Sequence, residues 1–197
     1  MHALRQRTTQ RRRGDPPAGF RLSREQDHRL GAHGFFDGLR VQIIEGEVFV
    51  IAPMAGVQSY PLQELNELLV RALPDRLRVR TLLPLALDDF NEPAPHFAIV
   101  PRGTGRHGET PTTALLAIEV ADSSLSFDLR QKARVYARCG IPEYWVLDVK
   151  ERALIVHRSP GATKDRSVKT LKDLSKVTST AVPGLTVDLR HVFARRR

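Results

Sequence analysis

One acidic residue interrupts the most apolar run of the chain, ALLAIEVADSS at residues 114–124. Leucine, alanine, isoleucine and valine surround Glu119, and such a run is typical of a strand that is covered on both faces. A buried ionised carboxylate costs several kcal/mol, roughly, unless a cation or hydrogen-bond donors meet it. We therefore expect a partner for Glu119.

The next element along the chain offers that partner. The pattern predicts a helix over 127–139, on which Asp128, Lys132 and Tyr136 are four residues apart and share one face. A helix that joins two parallel strands packs against their sheet, so Lys132 can approach Glu119. Two interpretations remain open. One is a solvent-facing ion pair beside a peripheral acid; the other is a carboxylate that binds a divalent cation while lysine orients the attacking water.

Three elements are predicted before this region. Ser23 and Gln26 form a capping-box pattern that starts a short helix. Residues 40–53 predict two strands joined by a tight turn at Glu45-Gly46. Leucines at helical spacing within 60–74 then predict an amphipathic helix that ends at a proline.

The rest of the pattern predicts a mixed α+β domain. Its strands are expected at 77–87, 96–100, 115–120, 143–149 and 152–158, with a last extended segment and turn at 182–193. Ser124 or Ser126 is the expected N-cap of the helix at 127–139, and Gly140 its terminator. Strand, helix and strand over 115–148 have the length of a right-handed crossover between parallel strands.

Positive charge is concentrated at the two ends of the chain. The formal net charge is +9, but without the terminal arginines 23 basic residues face 22 acidic ones. We expect a disordered basic tail at 1–19 and one domain at 20–197. Such a tail could hold a polyanion through salt-dependent phosphate contacts, or it could be a leader without a role. Its arginines are Arg5, Arg7, Arg11, Arg12 and Arg13.

Several classes of protein are disfavoured. No apolar stretch approaches the roughly 18 residues of a membrane-spanning helix, and no secretory signal is recognisable. The single cysteine, Cys139, fits a reducing compartment, so we expect a soluble, cytoplasmic protein. GTGRHG at 103–108 has the spacing of a dinucleotide-binding loop, but Pro111 follows instead of a helix N-terminus, which argues against that function.

The segment LLAIEVADSSLSFDLRQKARVYARCGIPEYWVLDV at 115–149 resembles the signature of the Uma-two family, a branch of the PD-(D/E)XK nuclease superfamily. Residues 40–73 and 87–102 resemble two further blocks of that family in the same order, so about 20–194 are covered. The resemblance implies a restriction-endonuclease-like fold, in which a hairpin and a helix precede a central mixed sheet flanked by helices. It also implies one metal-dependent phosphodiesterase site that acts on DNA.

The resemblance assigns the catalytic half-motif. Glu119 matches the acid and Lys132 the lysine, which this family carries on the helix. The Val120 backbone carbonyl is a further expected metal ligand, and Asp128 and Tyr136 are supporting residues. Mg²⁺ or Mn²⁺ would be the cofactor, because such ions take oxygen ligands and activate a bound water.

Three expected site positions depart from the family pattern. His96 stands where the family usually has the principal metal-binding aspartate, Gln42 where it has a glutamate, and Gln58 where it has a histidine. His96 and Glu119 could still hold a metal softer than Mg²⁺, although a lone histidine beside a strand is more often structural. Asp122 and Asp128 could supply compensating oxygens, or serve as a turn residue and a helix N-terminal charge.

Three functions follow from these residues. The first is a working DNA endonuclease with weakened or altered metal preference. The second is a catalytically inactive nuclease fold that binds nucleic acid without a metal. The third is a structural or oligomeric scaffold. Because the body of the chain is nearly neutral, extensive contact with duplex DNA would need the basic tail or a homodimer.

Overall fold

The structure is a computed structural model that describes residues 19–52, 56–105 and 108–193. The side chains of residues 56–58, Gln58 among them, also fall outside the described part. The same holds for the predicted basic tail and all five of its arginines, which lie within residues 1–18.

The N-terminal elements agree with the sequence prediction. They are α1 (Arg24–Ala32), β1 (Val41–Ile44), β2 (Glu47–Val50) and α2 (Gly56–Ala72). The capping box is confirmed, since the Ser23 hydroxyl accepts from the Gln26 N–H at 3.2 Å and the Gln26 side chain accepts from the Ser23 N–H at 2.8 Å. At the hairpin turn, Glu45 and Gly46 have φ values of 54° and 82°, as a two-residue turn of this kind requires.

A six-stranded mixed sheet forms the centre of the molecule. Its strands are β3 (Leu77–Thr81), β4 (Phe97–Pro101), β5 (Leu116–Ala121), β6 (Glu143–Asp148), β7 (Ala153–Arg158) and β8 (Ser167–Leu171). They lie side by side in chain order, and β5 and β6 are parallel whereas every other neighbouring pair is antiparallel. The predicted mixed α+β class and the parallel crossover are confirmed.

The predicted strand at 77–87 is too long. β3 ends at Thr81, because Leu82 takes a φ of 55° and turns the chain away from the sheet. The C-terminal region contains two strands that the sequence did not predict, β8 and the short strand at Val177–Thr178, whereas the extended segment and turn predicted at 182–193 are found as a short strand and a 3₁₀ turn. Beyond β8, a small separate sheet contains β9 (Val177–Thr178) and β10 (Thr186–Val187), and a 3₁₀ turn follows at Arg190–Phe193.

The crossover between β5 and β6 is one continuous helical segment, residues 125–138, which we call the site helix. It comprises α3 (Leu125–Phe127), a π-helical turn (Asp128–Lys132) and α4 (Ala133–Arg138). Gly140 follows with a φ of 74°, so the predicted terminator is confirmed. Ser124 occupies the N-cap position, as one of the two predicted serines, but it has helical dihedrals and makes no capping hydrogen bond; its hydroxyl donates to Asp128 Oδ2 at 2.6 Å instead.

Helices cover both faces of the sheet. On one face, leucines of α2 pack with Phe97, Ile118 and Trp145 and with the C-terminal segment. On the other face, the site helix packs through Ala133 and Tyr136. Successive side chains of β5 point to opposite faces of the sheet, so Glu119 lies on the same face as Ala117 and Ala121. The site helix covers this face. No helix within the described residues is long and apolar enough to cross a membrane.

Candidate active site

Two neighbouring strands bring Glu119 and His96 together. β4 and β5 are antiparallel with Phe97 opposite Ile118, so the residue before Phe97 lies beside the residue after Ile118. Glu119 is fully buried in the centre of the sheet. His96 precedes β4, and its side chain remains 19% exposed. The imidazole is therefore the part of this pair that solvent reaches.

The site helix supplies the cation. Lys132 Nζ donates to Glu119 Oε1 at 2.7 Å and lies 3.5 Å from Asp128 Oδ1. Only 5% of Lys132 is exposed, so this is a buried ion pair. The predicted approach of Lys132 to Glu119 and its pairing with Asp128 are both confirmed, and the interpretation of a solvent-facing ion pair is wrong.

His96 holds the second oxygen of Glu119. Its Nδ1 contacts Glu119 Oε2, and its backbone N–H donates to the same oxygen at 3.3 Å. An ionised carboxylate can only accept, so we assign the ring proton to Nδ1. The Val120 N–H points toward Nδ1 at 3.3 Å, a contact that favours the other tautomer but is longer than the contact of Nδ1 with Glu119. Among the described residues, Nε2 has no hydrogen-bond partner.

These contacts decide the charge states. Burial alone would raise the pKa of Glu119, but the charges of Lys132 and His96 and their hydrogen bonds lower it to about 2. Burial alone would lower the pKa of Lys132, but the carboxylates of Glu119 and Asp128 raise it above its ordinary value. Glu119 is therefore ionised and Lys132 protonated at neutral pH.

Asp128 has the opposite tendency. Burial raises its pKa to about 6, and the negative charge of Glu119 adds to the effect, while Lys132 and the Ser124 hydroxyl oppose it. Only 1% of Asp128 is exposed. The two carboxylates therefore share one lysine. The ammonium group of Lys132 lies closer to Glu119, at 2.7 Å, than to Asp128, at 3.5 Å.

Two tyrosines fill the space between the site helix and β6. Tyr136 and Tyr144 are fully or almost fully buried, and their ring centroids are 4.7 Å apart. The Tyr144 hydroxyl donates to the Asp128 carbonyl at 3.2 Å, within the π-helical turn. Burial, the charges of Glu119 and Asp128 and an interaction of the Tyr136 hydroxyl with the Glu119 carboxylate hold the pKa of Tyr136 well above its ordinary value.

The remaining predicted site residues lie around this cluster. Gln42 accepts from the Ala94 N–H at 3.3 Å, which places it beside the segment leading to His96, but not in contact with Glu119. Asp122 pairs with Lys150 at 3.3 Å at the end of β5. The roles of Val120, Asp122 and Gln58 as ligands or supporting residues stay predictions.

As arranged, the cluster does not fit Mg²⁺ or Mn²⁺. Such ions need several oxygen ligands, whereas Lys132 and His96, the two side chains in contact with Glu119, bring nitrogen only. Within the described ranges, no three side chains of histidine, cysteine, aspartate or glutamate are arranged to hold a metal ion. The expectation of a divalent cofactor therefore stays a prediction.

The sequence missed three features of this site. The direct contact between His96 and Glu119 could have been found by pairing HFAIV with LLAIEV as antiparallel neighbours. Ser124 was considered only as a cap, although its hydroxyl faces Asp128. Tyr144 was considered only as core, and no sequence signal indicates that its hydroxyl meets a carbonyl of the π-helical turn.

The fold and the cluster place the chain in a known class. A mixed sheet with a crossover helix presents an acid and a lysine to one another. The amino-acid sequence matches the model of a known family over residues 24–190. That family is Uma2, described as "Putative restriction endonuclease", and the chain belongs to it.

A solved structure shares the fold. It is the crystal structure of a protein described as a putative nuclease belonging to DUF820 from Anabaena variabilis, and the match covers 87% of this chain and 97% of that chain with a TM-score of 0.67. The sequence identity is 16%, so the likeness shows a common fold. No curated protein matches the chain.

Proposed function

We propose that this chain hydrolyses phosphodiester bonds of DNA at the cluster formed by Glu119, His96 and Lys132. One observation carries the proposal: a buried carboxylate holds a lysine with one oxygen and an imidazole with the other, and the far nitrogen of that imidazole has no partner in the described part of the chain. The descriptions of the Uma2 family and of the Anabaena protein, as a restriction endonuclease and a nuclease, support the choice of reaction and of substrate class.

His96 is the proposed general base. Glu119 accepts the proton on Nδ1, which fixes the tautomer and leaves the Nε2 lone pair able to take a proton from water. The attacking water loses its proton to Nε2 as its oxygen bonds to phosphorus, and the leaving oxygen takes a proton from solvent water as its bond to phosphorus breaks. Glu119 stabilises the imidazolium that forms in this step. The imidazolium then returns its proton to solvent.

Lys132 and Glu119 are positioning residues. Lys132 is almost fully buried, so its main effect is to keep Glu119 ionised and fixed toward His96. Its positive charge also favours the additional negative charge that develops on the phosphate, and the low dielectric of the buried site strengthens this effect. Asp128 also pairs with Lys132, and its negative charge reduces the part of the lysine's positive charge that can act on the phosphate.

Nicking of supercoiled plasmid tests the proposal. The wild-type chain, Glu119→Gln and Lys132→Met would be compared with Lys150→Met, which removes an exposed lysine from its pair with Asp122. Each protein would be incubated with chelator, with Mg²⁺ and with Mn²⁺. We expect nicking by the wild type and by Lys150→Met under all three conditions, and a loss of about 100-fold or more in the two site variants.

The metal conditions separate the alternatives. Nicking by the wild type only in Mg²⁺ or Mn²⁺ would support the metal-dependent enzyme that the family resemblance implies and would exclude His96 as the sole activator of water. Nicking that persists unchanged in both site variants would place the activity outside this cluster or in a contaminant.

A second candidate function is binding of nucleic acid without hydrolysis. The specific observation in its favour is that both oxygens of Glu119 are already occupied, as in a structural ion-pair network. This candidate predicts no nicking under any condition, together with salt-sensitive DNA binding that survives Glu119→Gln and Lys132→Met. Absence of both nicking and binding would favour the scaffold.

A further inference from the structure

A cavity of about 540 Å³ lies between α1 and the hairpin; Gln42 lines it, but Glu119, His96 and Lys132 do not. Apolar side chains form much of its wall, among them Phe36, Leu39, Val41 and Pro84. Three acids, Asp27, Asp37 and Glu92, also line it, and His28 is the one histidine, lysine or arginine among the lining residues. The cavity therefore combines an apolar wall with an excess of hydrogen-bond acceptors.

Asp27 is the residue that makes this cavity unusual. It is the single buried residue of α1, at 7% exposure, so an acid occupies the position where an amphipathic helix normally buries an apolar side chain. Its Oδ1 atom is buried and has no hydrogen-bond partner among the described residues. Leaving a buried carboxylate oxygen without a donor is costly, and the same carboxyl group belongs to a residue that lines the cavity.

The neighbouring groups do not satisfy Asp27. His28 Nε2 pairs with Glu92 Oε2 at 2.6 Å, so the histidine is already engaged by the other buried acid of the wall. Burial raises the pKa of Asp27; the His28 charge opposes this rise and the Glu92 charge adds to it. The cavity thus holds crowded negative charge that a cation with N–H groups would relieve.

The shape of the wall selects among cations. A metal ion would need several converging ligands, and the described residues offer no such group here. A guanidinium is planar and weakly hydrated, donates through several N–H groups at once, and stacks on aromatic rings, and Phe36 supplies such a ring. The apolar residues Leu39, Val41 and Pro84 can cover the methylene chain that carries it.

We propose that the cavity between α1 and the hairpin binds an alkylguanidinium group, with Asp27 as the carboxylate that accepts its N–H donors and Phe36 as the ring on which it stacks. This site is independent of the proposed hydrolysis. Two sources share the chemistry. One is a small guanidine compound, and the other is an arginine side chain, including those at 5, 7, 11, 12 and 13 of this chain.

Isothermal titration calorimetry with the full chain tests the site. The probes are butylguanidinium and butylurea, because the urea keeps the planar shape and N–H groups but carries no charge. The variants are Asp27→Asn and Phe36→Leu, and Asp173→Asn is the matched control because Asp173 is exposed. We expect butylguanidinium to bind the wild type and Asp173→Asn equally, and Asp27→Asn about tenfold or more weakly. Phe36→Leu should weaken binding about threefold to tenfold.

A variant with glutamine at all five arginines of residues 1–18 separates the two sources. If those arginines already fill the cavity, this variant will bind butylguanidinium more tightly than the wild type does; if a small molecule is the natural ligand, the two affinities will be equal. The proposal is overturned if neither protein binds the probe, if butylurea binds as well as butylguanidinium, or if Asp27→Asn binds unchanged. Circular dichroism melting of each variant verifies that it is folded.

Discussion

At the scale of single residues, the ion pair between Glu119 and Lys132 determines the chemistry of the site. A carboxylate at 0% exposure keeps its charge because a lysine lies 2.7 Å from one oxygen and an imidazole contacts the other. Burying such a pair gains little net stability, because both charges lose their hydration. Removing one partner is far more costly, because the remaining charge stays buried.

Replacing the lysine tests this asymmetry. Lys132→Met keeps most of the buried aliphatic stem but removes the charge, so we expect the free energy of unfolding to fall by about 3 kcal/mol. Lys150→Met is the matched control: its side chain is 68% exposed, and we expect a loss below about 1 kcal/mol. Urea denaturation followed by tryptophan fluorescence measures both. Equal losses in the two variants would contradict a buried, mutually dependent pair.

Asp128 gives a pH dependence of known sign. Its pKa is raised in the folded state from 3.8 to about 6, so the folded protein holds this proton more tightly than the unfolded chain does. Deprotonation of Asp128 therefore lowers the free energy of unfolding as the pH rises from about 4 to about 6. Glu119 has the opposite sign, since its lowered pKa adds stability above pH 4.5 that is lost as the pH falls toward about 2.

Asp128→Asn isolates the first of these effects. The quantity to follow is the free energy of unfolding of the wild type minus that of the variant. We expect this difference to decrease from about pH 4 to about pH 6 and to stay constant above that interval. Urea titrations of both proteins at several pH values measure this difference. A difference that stays constant over the interval, or that grows with pH, would show that Asp128 is not held in its protonated form.

At the scale of elements, Glu45 joins the hairpin to the site helix. Its carboxylate pairs with Arg134 and with Arg138, the latter at 3.0 Å. The same residue is tied to the loop before β4, since its N–H donates to Asn91 Oδ1 at 2.7 Å. Hairpin, loop and site helix therefore meet at one residue, and the loop leads directly to His96.

Loosening this junction should be visible in hydrogen exchange. In Glu45→Gln, we expect the amides of β1 and β2 to exchange about fivefold faster, which corresponds to a loss of about 1 kcal/mol from a partly exposed ion-pair cluster. Glu47→Gln, an exposed acid on the next strand, is the control and should leave the exchange rates unchanged. Equal protection of the hairpin in both variants would show that the arginines do not hold it.

The sequence predicts those features of the fold that depend on local periodicity. The capping box at Ser23, the hairpin turn at Glu45-Gly46 and the buried strand around Glu119 all follow from short patterns, and the structure confirms them. The π-helical turn could not be predicted, because no residue type enforces it. The contact of His96 with Glu119 depends on strand register, which only the assembled sheet fixes.

At the scale of the whole molecule, charge distribution limits how DNA could be bound. The net charge of +9 comes largely from eight terminal arginines, and five of them fall within the first thirteen residues. The rest of the chain is therefore close to neutral in sum and offers little net attraction for a duplex. If the protein acts on DNA, the basic tail is the best candidate for sequence-independent contact with the phosphates.

Replacing the five tail arginines with glutamine tests whether the tail makes the contacts with the phosphates. We expect weaker binding to a fluorescent duplex, and a smaller dependence of affinity on salt by about 0.9 in the log–log slope for each phosphate contact that is lost. Fluorescence anisotropy at several salt concentrations measures the slope. A variant with arginine replaced by lysine at the same five positions retains the charge and should bind like the wild type. An unchanged slope in the glutamine variant would assign the contacts to the domain.

The most direct test of the central claim uses the position that departs from the family pattern. The claim is that His96, held by Glu119, activates water without a metal, whereas an aspartate at this position would rebuild a carboxylate pair suited to Mg²⁺. Plasmid nicking rates of the wild type and of His96→Asp would be measured in chelator and in Mg²⁺. We predict equal wild-type rates in both conditions and nicking by His96→Asp only in Mg²⁺. The claim would be contradicted if the wild type nicked plasmid only in Mg²⁺. It would also be contradicted if His96→Asp nicked plasmid in chelator as fast as the wild type does.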